Sequence, residues 1–182
     1  MSEKRTVTVE NKSQISIADL ILLALLLAAG AVLRIFSSGF AILGMKPNFM
    51  IAMYCLAILL IRPKLAGCAV VGLLAGALCQ ISTPSPYINL ISELLGAVVM
   101  GLLIRIPMHI RIRGKALDVS PLVTTFFSTF VSGAAFVVCL FVFYQASAAG
   151  LVAYAPIVFF TALINCVIVQ ILYVPVRMAM KK

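Results

Sequence analysis

The sequence predicts an all-α fold: an integral membrane bundle of six transmembrane helices with both termini cytoplasmic. Three observations carry that prediction. Apolar residues make up 64% of the 182 residues and charged residues only 10%, and the mean hydropathy is +1.20, whereas a soluble domain is about half apolar. The apolar residues are gathered into runs at or near the roughly 20 residues that cross a bilayer as helix. The 14 Lys and Arg residues flank those runs, so the net charge of +9 reads as a topology determinant and not as a nucleic-acid footprint.

The polar tail, residues 1–16, is too long for the n-region of a signal peptide. No small-residue cleavage site closes the apolar run behind it, so that run reads as a retained span. Spans are expected at Ile17–Leu33, Pro47–Ile61, Leu65–Ile81, Tyr87–Ile106, Ser120–Tyr144 and Leu151–Met180. The second is short for a full crossing. The sixth is long enough to tilt, or to be interrupted near Pro175. "IRPK" (61–64) and "STPSP" (82–86) mark turns. Threading the chain through these spans puts Lys4, Arg5, Lys12, Arg62, Lys64, Arg105, Arg111, Arg113, Lys115, Arg177, Lys181 and Lys182 on one face, and Arg34 and Lys46 on the other. Twelve against two makes the first face cytoplasmic. Residues 17–182 then form one six-helix substrate-binding domain.

Little in the chain suggests covalent chemistry. Cys55, Cys68, Cys79, Cys139 and Cys166 all lie in apolar runs without a CxxC pair and read as small buried hydrophobes. The single histidine, His109, has no neighbouring ligands, so no metal site is expected. There is no Walker loop, HExxH, GxSxG or carboxylate pair. The chain is not read as an enzyme, and any energy for pumping comes from elsewhere.

Two constellations stand out. Glu93 is a carboxylate inside a span, six residues past Tyr87 and so about 9 Å in from the outer end. An ionisable group there is costly and marks a functional site, unless it pairs with Arg34 or Lys46 and only holds the bundle together. Asn89 shares its helix face, and Gln80 and Asn165 are comparable large polar residues in neighbouring spans. The second constellation is Lys46-Pro47-Asn48. Proline favours the first helical turn, so a helix starting at Pro47 would present free N–H groups beside a lysine, which suits a carboxylate; a snorkelling lysine is the alternative. A cationic wall and a carboxylate wall in one outer pocket suit a zwitterion such as an amino acid. Lys46 is expected to take the carboxylate, with Arg34 as the alternative, and Glu93 the ammonium, with Asn48, Asn89, Gln80 and Asn165 orienting the ligand. Phe36, Phe40, Phe49, Tyr54, Tyr87, Tyr144 and Tyr154 could stack on an aromatic ligand or form an interfacial belt. In the first span, Ala24 and Ala28 are in small-xxx-small register, which lets another helix approach closely.

Six short spans, cytoplasmic termini and the alanine strip resemble the S component, the substrate-capturing membrane subunit, of an energy-coupling factor (ECF) transporter. More narrowly, "GMKPNFMIAMYCLAILLIRPKLAGCAVVGLLAGALCQIS" followed by "YINLISELLGA" resembles the tryptophan transporter TrpP family. There G-M-K-P and an acidic residue open the second span, and N-[ML]-I opens the fourth. Here Asn48 stands at the acidic position, and Ser92-Glu93-Leu94 replaces the Asp-Lys-Pro of the fourth span. The resemblance implies a multi-pass protein of a prokaryotic cell membrane. It further implies uptake of tryptophan or a related aromatic amino acid, with no cofactor in this chain. Its partners would be a membrane coupling subunit, met at Ala24 and Ala28, and two cytoplasmic ATPases that use ATP. An S component for a water-soluble vitamin, and a stand-alone proton-coupled carrier with Glu93 as the coupling site, remain the alternatives.

Overall fold

The computed structural model describes residues 15–40, 46–112, 115–145 and 147–180. Among them the chain forms six α-helices: α1 (Ile17–Phe36), α2 (Met50–Ile61), α3 (Leu65–Cys79), α4 (Ile88–Leu103), α5 (Ser120–Tyr144) and α6 (Ala148–Ala179). Of the charges that set the expected orientation, Lys4, Arg5, Lys12, Arg113, Lys181 and Lys182 lie outside the described residues. So do Gly44 and Met45 of the G-M-K-P stretch, and residues 1–14 of the polar tail.

α1 starts at a capping box. The Ser16 hydroxyl accepts from the Asp19 N–H at 3.1 Å, and the Asp19 carboxylate accepts from the Ser16 N–H at 3.1 Å, an arrangement worth about 1 kcal/mol. α2 ends at Arg62, which adopts a left-handed conformation (φ 52°) and closes the helix with its N–H on the Ile58 carbonyl at 2.9 Å. Pro63 then forces the turn into α3. Between α4 and α5 the backbone adds a feature to the expected all-α fold: an antiparallel pair of short strands, β1 (His109–Ile112) and β2 (Lys115–Asp118). α6 runs as one helix through both Pro156 and Pro175, so of the two alternatives for this long span the interruption near Pro175 is not found.

The helices are arranged around α2. It touches all five others, and every residue from Met50 to Leu60 is buried. That explains why its sequence lacks an amphipathic period: a helix with no solvent or lipid face is apolar all round. α3, α4, α5 and α6 pack in chain order, and α1 lies against α2. The α3–α4 contact depends on Gly72 and Gly76. A Cβ on Gly72 would stand 2.7 Å from the Glu93 carbonyl oxygen, and one on Gly76 would stand 2.8 Å from that of Asn89. The two backbones meet at a separation only glycine permits.

Four segments are long and apolar enough to cross a membrane: 17–39, 65–82, 120–144 and 152–179. α2 has 12 residues and α4 has 16, about 18 and 24 Å of helix against a hydrocarbon core of about 30 Å. α2 begins at Met50, three residues later than the Pro47 start expected from sequence. Its first-turn N–H groups therefore belong to buried residues, and the segment 46–49 before it is not helical. The connection 83–87 before α4 is likewise irregular.

Filling the space at Gly76 tests this packing. Gly76→Val should lower the unfolding free energy by about 1–3 kcal/mol, the usual cost of overpacking, and depress the melting temperature in detergent. Ala77→Val on the exposed side of the same turn should be nearly silent.

Candidate functional site

At the end of the bundle where α1 meets α2, α3 meets α4 and α5 meets α6, the helices enclose a cavity of about 260 Å³, near the lower end of small-molecule sites. Its walls explain the two short helices. Lys46 and Asn48 come from the segment before α2, and Thr83, Pro84 and Ser85 from the segment before α4. Non-helical backbone at membrane depth is tolerated where it lines a cavity.

Arg34, in the last turn of α1, is the buried cation of this cavity, at 4% exposure. One terminal nitrogen donates to the Asn89 side-chain oxygen at 3.3 Å, and its Nε has no partner. Lys46 also lines the cavity but is partly committed elsewhere. Its ammonium donates to the Ser38 hydroxyl at 2.8 Å and to the Ser82 carbonyl, tying two connections together across the cavity mouth. Partial burial and the like charge of Arg34 push the Lys46 ammonium below the ordinary lysine range.

Glu93 does not line the cavity. It is fully buried one layer behind the wall, and its hydrogen-bond partners are neutral. Asn48 Nδ2 donates to Oε1, the Ser132 hydroxyl donates to Oε2 at 3.1 Å, and the Cys79 thiol lies 4.0 Å from Oε1. Asn48 and Ser132 are themselves wall residues, so the Glu93 side chain fixes two polar groups of the cavity wall. Among the described residues no ion pair joins Glu93 to Arg34 or Lys46, so the ion-pair alternative does not describe this site. Gly96, one turn on, lets α5 approach: the Ser128 hydroxyl donates to its carbonyl at 2.9 Å.

The other residues singled out in the sequence divide between wall and support. Asn89 lines the cavity; besides accepting from Arg34 it donates to Thr83 at 2.9 Å. Asn165 lies behind the wall and donates to the Asn48 backbone carbonyl at 3.0 Å, which holds the irregular segment against α6. Gln80 shapes the α3–α4 connection, donating to the Gly76 carbonyl and accepting from the Tyr87 N–H, both at 2.9 Å. Asn48 retains a buried side-chain oxygen with no partner. Since a carboxylate accepts, the amide nitrogen is the atom facing Glu93.

Of the expected aromatic residues whose side chains are described, only Tyr154 reaches the cavity; Tyr54 is buried in the core, and Phe36, Tyr87 and Tyr144 are exposed. The side chain of Phe40 lies outside the described residues. Phe136 and Leu140, which sequence reasoning missed, complete the apolar wall with Val158 and Ile51. The signal was present: Ser132, Phe136 and Leu140 continue the polar face of α5 at four-residue spacing, and Tyr154, Val158 and Thr161 share a face of α6 at steps of four and three. Ala24 and Ala28 are exposed on the surface of α1, whereas Gly30 packs inward on Met50. The five cysteines are buried free thiols.

Apolar helices of membrane-crossing length around a half-polar cavity define a multi-pass membrane protein with a small-molecule site. A family model described as "Tryptophan transporter TrpP" matches residues 16–181, and the chain belongs to that family. Comparison with curated proteins gave no match, and comparison with solved structures gave none.

The Lys46 environment has a consequence in solution. Its ammonium loses its proton at a lower pH than an ordinary lysine, so as pH rises its pull on an anionic ligand fades early. As pH rises toward the ordinary lysine range, wild-type binding should weaken about two- to fivefold relative to Lys46→Arg, whose guanidinium stays charged, corresponding to roughly 0.5–1 kcal/mol of partly exposed ion pairing. Titration calorimetry on both proteins between pH 7 and 10 reads that ratio and cancels the ligand's own titration.

Proposed function

We propose that the chain is the substrate-capture subunit of an ECF-type importer for tryptophan or a related aromatic amino acid. Family membership supports a tryptophan transporter. The zwitterionic specificity rests on one observation: two wall residues of the same cavity carry complementary unpaired atoms, the donor Arg34 Nε and the acceptor Asn48 Oδ1. Unpaired buried polar atoms are costly, and a ligand with a carboxylate and an ammonium would satisfy both. Among the described residues the other buried unpaired side-chain atoms, on Tyr54, Thr125, Asn165 and Gln170, belong to residues outside this wall.

In this reading Arg34 holds the carboxylate and Lys46 adds charge at the mouth. The ammonium sits by Asn48 and Ser132 with the Glu93 carboxylate behind them, and the ring lies among Phe136, Leu140, Tyr154 and Val158. Arg34 takes precedence over Lys46 because it is buried, has a free N–H and offers a planar fork. All six helices cross the membrane, with α2 and α4 completed by the cavity segments, and both termini are cytoplasmic as the charge bias requires. The exposed Ala24–Ala28 strip meets the coupling subunit, and two partner ATPases use ATP.

A stand-alone proton-coupled carrier is the second reading, favoured by the buried carboxylate of Glu93. Uptake in cells separates the two: loss of transport on removing the ATPases, with no effect of an uncoupler, supports the ECF reading, and the reverse supports the carrier.

Ligand analogues test the site. Tryptamine, which lacks the carboxylate, and indole-3-propionate, which lacks the ammonium, should each bind about 10- to 100-fold more weakly than tryptophan, the worth of a charge-assisted hydrogen bond at about 1.5–3 kcal/mol. Arg34→Gln should weaken tryptophan by a similar factor and tryptamine hardly at all. Equal loss for both ligands would remove Arg34 from the carboxylate site.

A further inference from the structure

The opposite end of the bundle holds a second cavity, of about 430 Å³, which the transport reading does not use. Its wall carries three guanidinium groups from three separate places in the fold: Arg62 at the α2–α3 turn, Arg105 just past α4, and Arg177 in the last turn of α6. One carboxylate, Asp118, shares the wall and is engaged by the Ser120 N–H at 3.0 Å. Arg177 is positioned by Tyr173: its guanidinium lies 5.7 Å from the ring centroid and donates to the phenol oxygen at 3.4 Å. Leu59 and Ile104 supply a buried apolar floor.

We propose that this cavity binds a phosphate-bearing anion, supplied either by the headgroup of an anionic lipid or by a soluble phosphate. Arginines near helix C-termini are common because they offset the helix dipole, and positive residues collect on the cytoplasmic face of membrane proteins. Neither tendency requires three of them to converge on one concavity, or the choice of arginine over lysine. Lys64, two residues from Arg62, is not in the wall. Planar guanidinium forks match phosphate oxygens in pairs, which an ammonium does not. The backbone at Arg62 agrees. Its φ of 52° is the helix-ending conformation that glycine adopts without penalty, yet the position is an arginine that lines the cavity. Basic pockets between helices on the cytoplasmic side of membrane proteins are suited to anionic headgroups, and a concave site suits a compact group better than the flat face of a partner protein.

The experiment uses the full chain in nanodiscs, comparing wild type with Arg62→Gly/Arg105→Gln/Arg177→Gln. Glycine suits the backbone at position 62, and tryptophan binding at the other end reports whether the variant is folded. Native mass spectrometry after release from discs of mixed phosphatidylglycerol and phosphatidylcholine reads lipid retention. Thermal shifts in pure phosphatidylcholine discs, with and without millimolar inorganic phosphate, read the soluble source. We expect wild type to retain phosphatidylglycerol preferentially, to be stabilised by phosphate, or both, and the variant to lose at least fivefold of that preference or most of that shift. Lipid retention and phosphate shifts equal in the two proteins would overturn the proposal. So would the case in which the variant changes only assembly with partner proteins, since that would make the arginines a protein-docking surface. If the triple variant does not bind tryptophan, Arg105→Gln alone is read in the same way, and an unchanged preference there counts against the site.

Discussion

A guanidinium and a carboxyl group are both buried in this bundle and kept from meeting. Arg34 on α1 and Glu93 on α4 are both sequestered from the surface, and two such charges in contact would attract by about 4 kcal/mol even at an effective dielectric of 20. Instead each is held by an amide: Asn89 accepts from Arg34, and Asn48 donates to Glu93. Those amides, with Ser132, form part of the wall of the cavity that lies beside them. The separation places the guanidinium of Arg34 on the α1 side of the cavity and the carboxyl group of Glu93 behind its α4–α5 side. A ligand that carries both charges can engage the two walls together.

The rest of the architecture serves that separation. α2 is sheathed by the other five helices, which removes its need to span the full bilayer alone. Its late start leaves residues 46–49 free to form wall instead of helix. Asn165 holds that segment from α6, Glu93 holds it from α4, and Lys46 ties it to the α3–α4 connection. The glycine contacts of α3 with α4 bring Glu93 and Asn89 to a fixed height beside the cavity. A small change in the α3–α4 approach would therefore move Glu93 and Asn89 together.

Much of this was legible in the sequence, because hydropathy and length follow directly from the bilayer. The expected segments for α3 and α5 lie within two residues of the helical elements found there, and the charged and proline-rich turns fall where expected. Arg34, Lys46, Asn48 and Asn89 do converge on one cavity. Their ranking was not legible. Lys46 stood out through its proline, whereas the depth of Arg34 depends on tertiary packing that sets it against Asn89 of α4, a property with no local signature. The Pro47 helix start failed for a related reason: Asn48 bonds to α4 and α6 and not to its own helix. Gln80, Glu93 and Asn165 were polar enough to suggest ligand contact, but polarity does not say which layer a residue occupies. Tyr154 was among the aromatic residues expected at the site, but nothing in the sequence separated it from an interfacial belt, and Phe136 went unnoticed for the same reason.

The central claim is that an amino-acid zwitterion completes the unpaired atoms of Arg34 and Asn48. A structure of the protein with tryptophan bound tests it most directly. The account predicts carboxylate oxygens about 2.7–2.9 Å from the Arg34 guanidinium nitrogens, as charge-assisted bonds require, the ammonium beside Asn48 Oδ1, and the indole ring against Phe136 and Tyr154. A bound ligand that leaves Arg34 Nε unpartnered, or that places its ring against Arg34 and its carboxylate toward Glu93, would contradict it.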